Sequence, residues 1–340
     1  MLRWGVLGPG RISRSFLDGV AGATEGRAVA VGSRDGDRAR AVADKFGVPR
    51  SYGSYQAVLA DPEVDAVYIG LPNGLHGEWS IAAAKAGKHV LCEKPLASDT
   101  TEALAMAAAA EEHGVGLVEA FMYRFHPRTI RLAEMIRHGA IGEVRAVSAS
   151  FGFVLDDSTD VRLDAGLAGG ALMDVGSYCV NVSRLIAGVA PTRVSAFARW
   201  APSGVDLQLV GDIEYPNGVF AQISCDFGGH HNHSVRVVGT EGVIDVPESF
   251  VPPRDEPATL LLFRDGQTGN PEEIAFRPVN QYTAEADGFA RLVENGGGAG
   301  GAGEAGMPLA ETVQNMATID ALLRSARDGH PELVRHAPAG

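Results

Sequence analysis

The chain has 340 residues, 45% hydrophobic and 21% charged, with a formal net charge of −13. That length exceeds one typical core and predicts about two domains of ordinary globular composition. The acidic balance, with no basic stripe to offset it, disfavours a nucleic-acid partner, and no apolar run approaches the ~20 residues of a bilayer-spanning helix.

Leu2–Leu7 reads as a continuous buried strand, as expected where a sheet is covered on both faces. A helix is predicted over Arg11–Val20, a strand over Ala28–Gly32, and a helix over Asp37–Phe46 that Gly47 and Pro49 end. Val64–Gly70 reads as a strand, Gly74–Ala86 as a helix with Gly87 just past its end, and His89–Cys92 as a short strand. An alanine-rich helix over Thr100–His113 and a strand over Gly116–Ala120 follow. This βαβ alternation predicts a parallel, doubly wound sheet.

The pattern changes after Phe121. A helix is predicted over Pro127–His138, then β-branched and aromatic runs at Val144–Val154, Arg193–Trp200, Val205–Tyr215, Gly218–Phe227, Ser234–Val238 and Thr259–Phe263. Turn signals such as Pro216-Asn217-Gly218 separate them, which predicts a mostly antiparallel sheet. One helical stretch, Gly170–Ile186, interrupts the strands, Gly296–Gly306 reads as a flexible surface segment, and a helix over Ala310–Arg327 closes the chain. The expected fold class is α/β: a Rossmann dinucleotide-binding domain over residues 1–121, an α+β domain over 122–309, and a C-terminal helix and tail over 310–340. Three widely spaced cysteines, Cys92, Cys179 and Cys225, argue for a reducing, cytoplasmic setting and against a disulfide framework. The start, Met1-Leu2-Arg3-Trp4, runs straight into a strand and shows no signal-peptide layout.

Gly8-Pro9-Gly10-Arg11-Ile12-Ser13 follows the first strand and opens the first helix. It fits G-x-G-x-x-G/A except at its last position, where Ser13 is still small enough to keep helix and strand close. In that context the turn can rest a pyrophosphate on a helix N-terminus; its bland reading is a tight turn. The second strand ends in Gly32-Ser33-Arg34, where an acidic residue would accept from the ribose hydroxyls of NAD. A hydroxyl and a guanidinium suit a 2′-phosphate instead, with Arg38 one turn on. NADP is therefore the expected cofactor; Asp35 nearby leaves some room for NAD.

Leu71-Pro72-Asn73-Gly74-Leu75-His76 follows the third strand and is expected over the crevice, where His76 either faces the cofactor or lies on the helix surface. Glu93-Lys94-Pro95 ends the next strand. A lysine there points into the same crevice and favours a neighbouring ionised oxygen; alone, it reads equally well as an exposed turn residue.

Gly8-Pro9-Gly10-Arg11-Ile12, Leu71-Pro72-Asn73-x-x-His76 and Glu93-Lys94-Pro95, with Gly169-Gly170-Ala171-Leu172-Met173-Asp174-Val175-Gly176-Ser177-Tyr178, together resemble the glucose–fructose oxidoreductase / inositol dehydrogenase (Gfo/Idh/MocA) superfamily over residues 2–328. Glu119-Ala120-Phe121-Met122-Tyr123-Arg124-Phe125-His126-Pro127 is similar to the branch of NADP-dependent D-xylose 1-dehydrogenases and dimeric dihydrodiol dehydrogenases. Many members carry histidine where this chain has Tyr178 and aspartate where it has Asn181, so a histidine proton carrier is not carried over. The resemblance implies a nicotinamide-binding domain and a large open-faced sheet used for homo-oligomer contacts, as a dimer or tetramer.

Hydride removal from an alcohol carbon needs a base for the hydroxyl proton. Tyr178 is the candidate, with Lys94 as the cation that lowers its reference pKa of ~10. Asp174 lies four residues before Tyr178, so an α-helix would set both on one face. Asp174 then holds a substrate hydroxyl or orients Lys94; otherwise it is a helix cap and Tyr178 a core aromatic. Arg162 and Asp160 either line the substrate pocket or are loop charges. The expected substrate is a sugar, polyol or cyclic diol, the alternatives being a ketoreductase on a nucleotide-linked or amino sugar and a non-catalytic NADP-binding sensor. His230-His231-Asn232-His233 lacks a convincing acidic or cysteine partner and reads as a solvated or interface cluster, so no metal site is expected.

Overall fold

The computed structural model describes residues 1–264, 270–296 and 307–335, and the chain divides into two units. The first comprises Met1–His126 with Val279–Thr312, the second Pro127–Pro278 with Val313–Gly340.

In the first unit, strands β1 (Leu2–Leu7), β2 (Gly26–Gly32), β3 (Arg50–Tyr52), β4 (Ala66–Ile69), β5 (His89–Glu93) and β6 (Leu117–Ala120) form one sheet in the order β3-β2-β1-β4-β5-β6. Every pairing in it is parallel. The order reverses between β1 and β4, which opens a crevice at their carboxyl ends. Helices α1 (Arg11–Ala21), α2 (Gly36–Phe46), α3 (Tyr55–Leu59), α4 (His76–Lys85) and α5 (Thr100–Glu112) alternate with the strands. The strands are buried almost throughout, because helices cover both faces. Trp4, Phe16, Tyr68 and Phe289 meet in the core, Phe16 stacking on Tyr68 at 3.9 Å. Phe289 belongs to α8 (Gln281–Glu294), a helix absent from the sequence reading. Gly19 on α1 has no room for a Cβ beside Tyr282 and Thr283, so α8 seats directly on α1. The described residues within Val279–Thr312 thus belong to the first unit, not to the domain expected over 122–309.

The second unit begins with α6 (Pro127–Arg137) and β7 (Val144–Gly152). After α7 (Ser177–Ala187) come β8 (Arg193–Trp200), β9 (Asp206–Glu214), β10 (Phe220–Asp226), β11 (Asn232–Gly239), β12 (Gly242–Pro247), β13 (Ala258–Arg264) and β14 (Glu272–Phe276). The helix α9 (Leu309–Asp328) and the short β15 (Glu332–Leu333) complete the described chain. The sheet order is β14-β13-β12-β11-β7-β10-β9-β8-β15, antiparallel except for β7 beside β10. Alternation is strict: Val147, Ala149, Ala221, Ile223, Leu209 and Ile213 are buried on one face. The register places Phe197, Val210, Ser224, Ser150 and Ser234 in a row across the other. Phe197 is 73% exposed there and Phe220 55%. The expected α/β architecture with an open-faced second sheet is therefore present. The glycine-rich segment lies almost entirely outside the described residues.

Candidate active site

The first unit supplies the nucleotide end. Gly8 has φ +91°, and a Cβ there would meet Leu71 at 2.6 Å, so only glycine serves. Gly10 precedes α1, with no side chain capping the helix, so the first amides are open to an anion. Ser13 is fully buried, and a Cβ on Gly70 would overlap its hydroxyl, which is how the small residue holds α1 against β4. Pro9, Arg11 and Ile12 complete this turn, with the Arg11 side chain exposed.

Ser33 is buried at the end of β2 and accepts a hydrogen bond from the Asp35 amide at 3.1 Å. Asp35 turns to its own helix and accepts from the Asp37 and Arg38 amides at 3.0 and 3.1 Å. Asp35 thus caps α2, while Arg34 and Arg38 remain exposed beside it. A glycine cradle, an open helix end and paired guanidinium groups fit a dinucleotide with an added phosphate.

Leu71, Pro72 and Asn73 form the turn after β4. His76 is fully buried beneath it, with Nδ1 2.9 Å from the Pro95 carbonyl and Nε2 2.9 Å from the Leu71 carbonyl. Burial lowers its pKa. The surface position considered for His76 is not the one it takes: the ring is buried, with both nitrogens against backbone carbonyls. As a neutral ring it donates to one of these two carbonyls and sits between the Leu71 and Lys94 turns. Glu93, expected among the cofactor contacts, also faces inward: it accepts from Tyr68 Oη at 2.5 Å and from the Lys94 amide at 3.3 Å. Lys94 itself is half-buried at the end of β5.

Two further carboxyls, missed in the sequence, lie in this unit. Glu119, next to last in β6, accepts from the Leu96 amide at 2.9 Å; burial, the largest cause, pushes its pKa up to about 8. The signal was an acid near the end of an apolar strand paired with that of Lys94. Glu285 on α8 is fully buried, and burial followed by the charge of Glu93 holds its proton on well above the usual range.

The second unit supplies Asp174 and Tyr178. The chain does not run as α-helix from Gly170: Leu172–Gly176 form a wide π-helical turn, and α7 begins only at Ser177. The four-residue step therefore no longer follows α-helical spacing, and π turns of this kind concentrate at functional sites. Asp174 is not the cap either. Asp206 from β9 accepts from the Leu172 amide at 2.7 Å, which leaves Asp174 Oδ2 to accept from Arg162 Nε at 2.5 Å. Arg162 also donates to both oxygens of Asp160 at 3.2 Å. Arg162, Asp160 and Asp174 therefore form one half-buried cluster with a net negative charge. Tyr178 packs on Phe151 and Phe250, with ring centroids 5.4 and 5.3 Å away.

A nucleotide-binding parallel sheet joined to an antiparallel sheet, with a lysine closing β5 and a tyrosine opening α7, defines a two-unit oxidoreductase architecture. The chain belongs to the GFO/IDH/MocA family: the oxidoreductase family with an NAD-binding Rossmann fold matches residues 2–121, and the family's C-terminal domain matches 129–245. It is similar to D-xylose 1-dehydrogenase (NADP(+)) 2 of Haloferax volcanii, 41% identical over 96% of this chain and 98% of that protein. It is also similar to trans-1,2-dihydrobenzene-1,2-diol dehydrogenase of Mus musculus, 35% identical over 74% of this chain and 76% of that one. Among solved structures, a 3-ketoreductase from Actinomadura kijaniata in complex with NADP and TDP-benzene superposes with a TM-score of 0.86 at 30% identity, covering 97% of this chain and 98% of that one.

Proposed function

We propose that this protein is an NADP-dependent oxidoreductase that transfers hydride between the nicotinamide and a hydroxyl-bearing carbon of a sugar, polyol or cyclic diol. The observation that carries the reading is Lys94, a half-buried cation at the carboxyl end of β5 on a turn that Glu93 and Glu119 hold by its amides. Gly8, Pro9, Gly10, Arg11 and Ile12 hold the pyrophosphate, Ser33, Arg34 and Arg38 the 2′-phosphate, and Leu71, Pro72 and Asn73 the middle of the dinucleotide. His76 and Glu93 serve that end from beneath, through the turns they fix.

In the oxidative direction Tyr178 Oη takes the hydroxyl proton of the substrate, and the ammonium of Lys94 stabilises the tyrosinate that does so. The oxidised nicotinamide, held by that cradle, would supply the hydride acceptor for the same carbon. Asp174, held by Arg162, accepts from a second substrate hydroxyl and fixes the ring. The ketoreductase reading, on a nucleotide-linked sugar, is the weaker one. Arg162 is already neutralised by two carboxylates and offers little to a diphosphate.

The relatives named as NADP enzymes support the cofactor. The exposed face that carries Phe197, Val210 and Phe220 supports a homo-oligomer formed through the second sheet, which a sedimentation mass of one chain would refute. Among the described residues no helix is long and apolar enough to cross a membrane, and the three cysteines are free and buried, in keeping with a cytoplasmic setting.

An NADP⁺ reduction screen over aldoses, inositols and cyclic diols tests the activity, with Tyr178→Phe beside it. Turnover on one class, lost in Tyr178→Phe with NADPH binding intact, is expected. Tight NADPH binding without turnover on any class would overturn the reading and favour a sensor.

A further inference from the structure

Arg128 stands in the first turn of α6 and is 1% exposed. It faces a turn that follows β12. Nη1 donates to the Pro247 carbonyl at 2.8 Å, and Nη2 donates to the Glu248 and Ser249 carbonyls at 2.8 and 2.9 Å. Three consecutive carbonyls converge on one cation because Glu248 sits at φ +45°, a left-handed conformation that non-glycine residues adopt only under compensation. A planar fork of fixed donors suits such a target, and a lysine's single ammonium does not. Burial pulls the Arg128 pKa down to about 10, which leaves it charged at neutral pH.

Phe250, fully buried, is the next residue along. Its ring stacks on Phe151 at 5.4 Å and lies 5.3 Å from Tyr178. The other side of the turn rests on His233, whose carbonyl accepts from the Ser249 amide at 3.3 Å and whose Nδ1 lies 3.4 Å from the Phe250 amide. Burial, then His231 and Arg128, push the His233 pKa down to about 4, so its ring is neutral and Nδ1 can accept. The histidine cluster noted in the sequence thus has one member built into the wall behind Tyr178.

We infer that Arg128 is a positioning residue: by gathering the Pro247, Glu248 and Ser249 carbonyls it sets the Phe250 ring against Tyr178 and so fixes the tyrosine for proton transfer. The inference rests on the proposed role of Tyr178 as base. The effect passes through the turn that Arg128 gathers and the Phe250 ring that follows it. Small misplacements of a reacting group cost up to about a hundredfold in rate, so the consequence lies in kcat rather than in cofactor affinity.

The test is a double-mutant cycle in the full-length protein with Arg128→Met and Phe250→Leu. Each single variant is expected to lower kcat about tenfold to a hundredfold, with the Kd for NADPH within about twofold of the parent. The double variant is expected to be no slower than the worse single, because both remove one arrangement. Added guanidinium should restore part of the rate to Arg128→Met and none to Phe250→Leu. A folded Arg128→Met with the parental kcat, or additive losses, would overturn the inference. If Arg128→Met does not fold, Arg128→Lys keeps the charge and loses the fork, and should show the same kcat loss. If no substrate turns over, 3-fluorotyrosine placed at position 178 separates the two ideas. Its fluorine resonance should move in Arg128→Lys and Phe250→Leu alike, and an unmoved resonance in Arg128→Lys would sink the positioning role.

Discussion

Glu119 accepts a hydrogen bond from the amide of Leu96, two residues beyond Lys94, at 2.9 Å. The carboxyl is 2% exposed, so the bond holds the Lys94 turn from inside the unit. It makes the stability of this unit depend on pH. The folded chain keeps the Glu119 proton up to about 8, whereas the ordinary value is 4.5. Between those values the unfolded state binds fewer protons than the folded state, so stability falls as pH rises and levels off above about 8. The expected slope is about 1.4 kcal/mol per pH unit per such group. Glu285 adds to the loss in the same direction. Urea midpoints should therefore decline from pH 7 to pH 8, above the range in which the buried His76 and His233 take up protons on unfolding, and Glu119→Gln should flatten the decline without abolishing it. A Glu119→Gln slope equal to the parental one would show that Glu119 is ionised throughout.

Cofactor choice follows from where Asp35 points. Its carboxylate accepts from two amides of α2, and the exposed Arg34 is the group left to meet a phosphate at the end of β2. Arg34→Ala should lose a charged hydrogen-bonded pair, about 1.5–3 kcal/mol, which is roughly a tenfold to hundredfold rise in the Kd for NADPH. NADH binding should change by less than about threefold. Fluorescence titration with both cofactors checks this, and equal losses for the two would mean that Arg34 serves the fold or the adenine instead.

Much of this was legible in the sequence, and the reasons are local. Gly8-Pro9-Gly10 after an apolar strand can be read because one backbone conformation demands glycine there. Lys94 can be read because it ends a strand. Asp35 was visible, but not its direction, since capping α2 and meeting a ribose use the same carboxylate. Asp206 is the sharper case: it stands 34 residues after the Leu172 amide it caps, and no periodicity links the two. Arg128 and the turn at 247–249 are joined across 119 to 121 residues. The π-helical turn was hidden because its residues fit an α-helix equally well by type. Sequence patterns show elements and their ends, whereas contacts between distant elements decide which polar group satisfies which.

The start of the Tyr178 segment gives a prediction about stability alone. Gly170 has φ +123°, and a Cβ on it would meet Asp206 Oδ1 at 2.3 Å. Burial pushes the Asp206 pKa up to about 6, against the Leu172 amide that it accepts from. Asp206→Ala removes the cap and should cost about 1–2 kcal/mol. Gly170→Ala suffers both the backbone conformation and the collision, and should cost about 2–4 kcal/mol. In the double variant the collision has no partner, so only the conformational part of the Gly170→Ala loss remains. The two losses should therefore sum to more than the double variant shows, by about 1 kcal/mol. Urea unfolding of the four proteins measures this. Strict additivity would mean that the Asp206 carboxylate moves aside at little cost and that the glycine is needed for its backbone conformation alone.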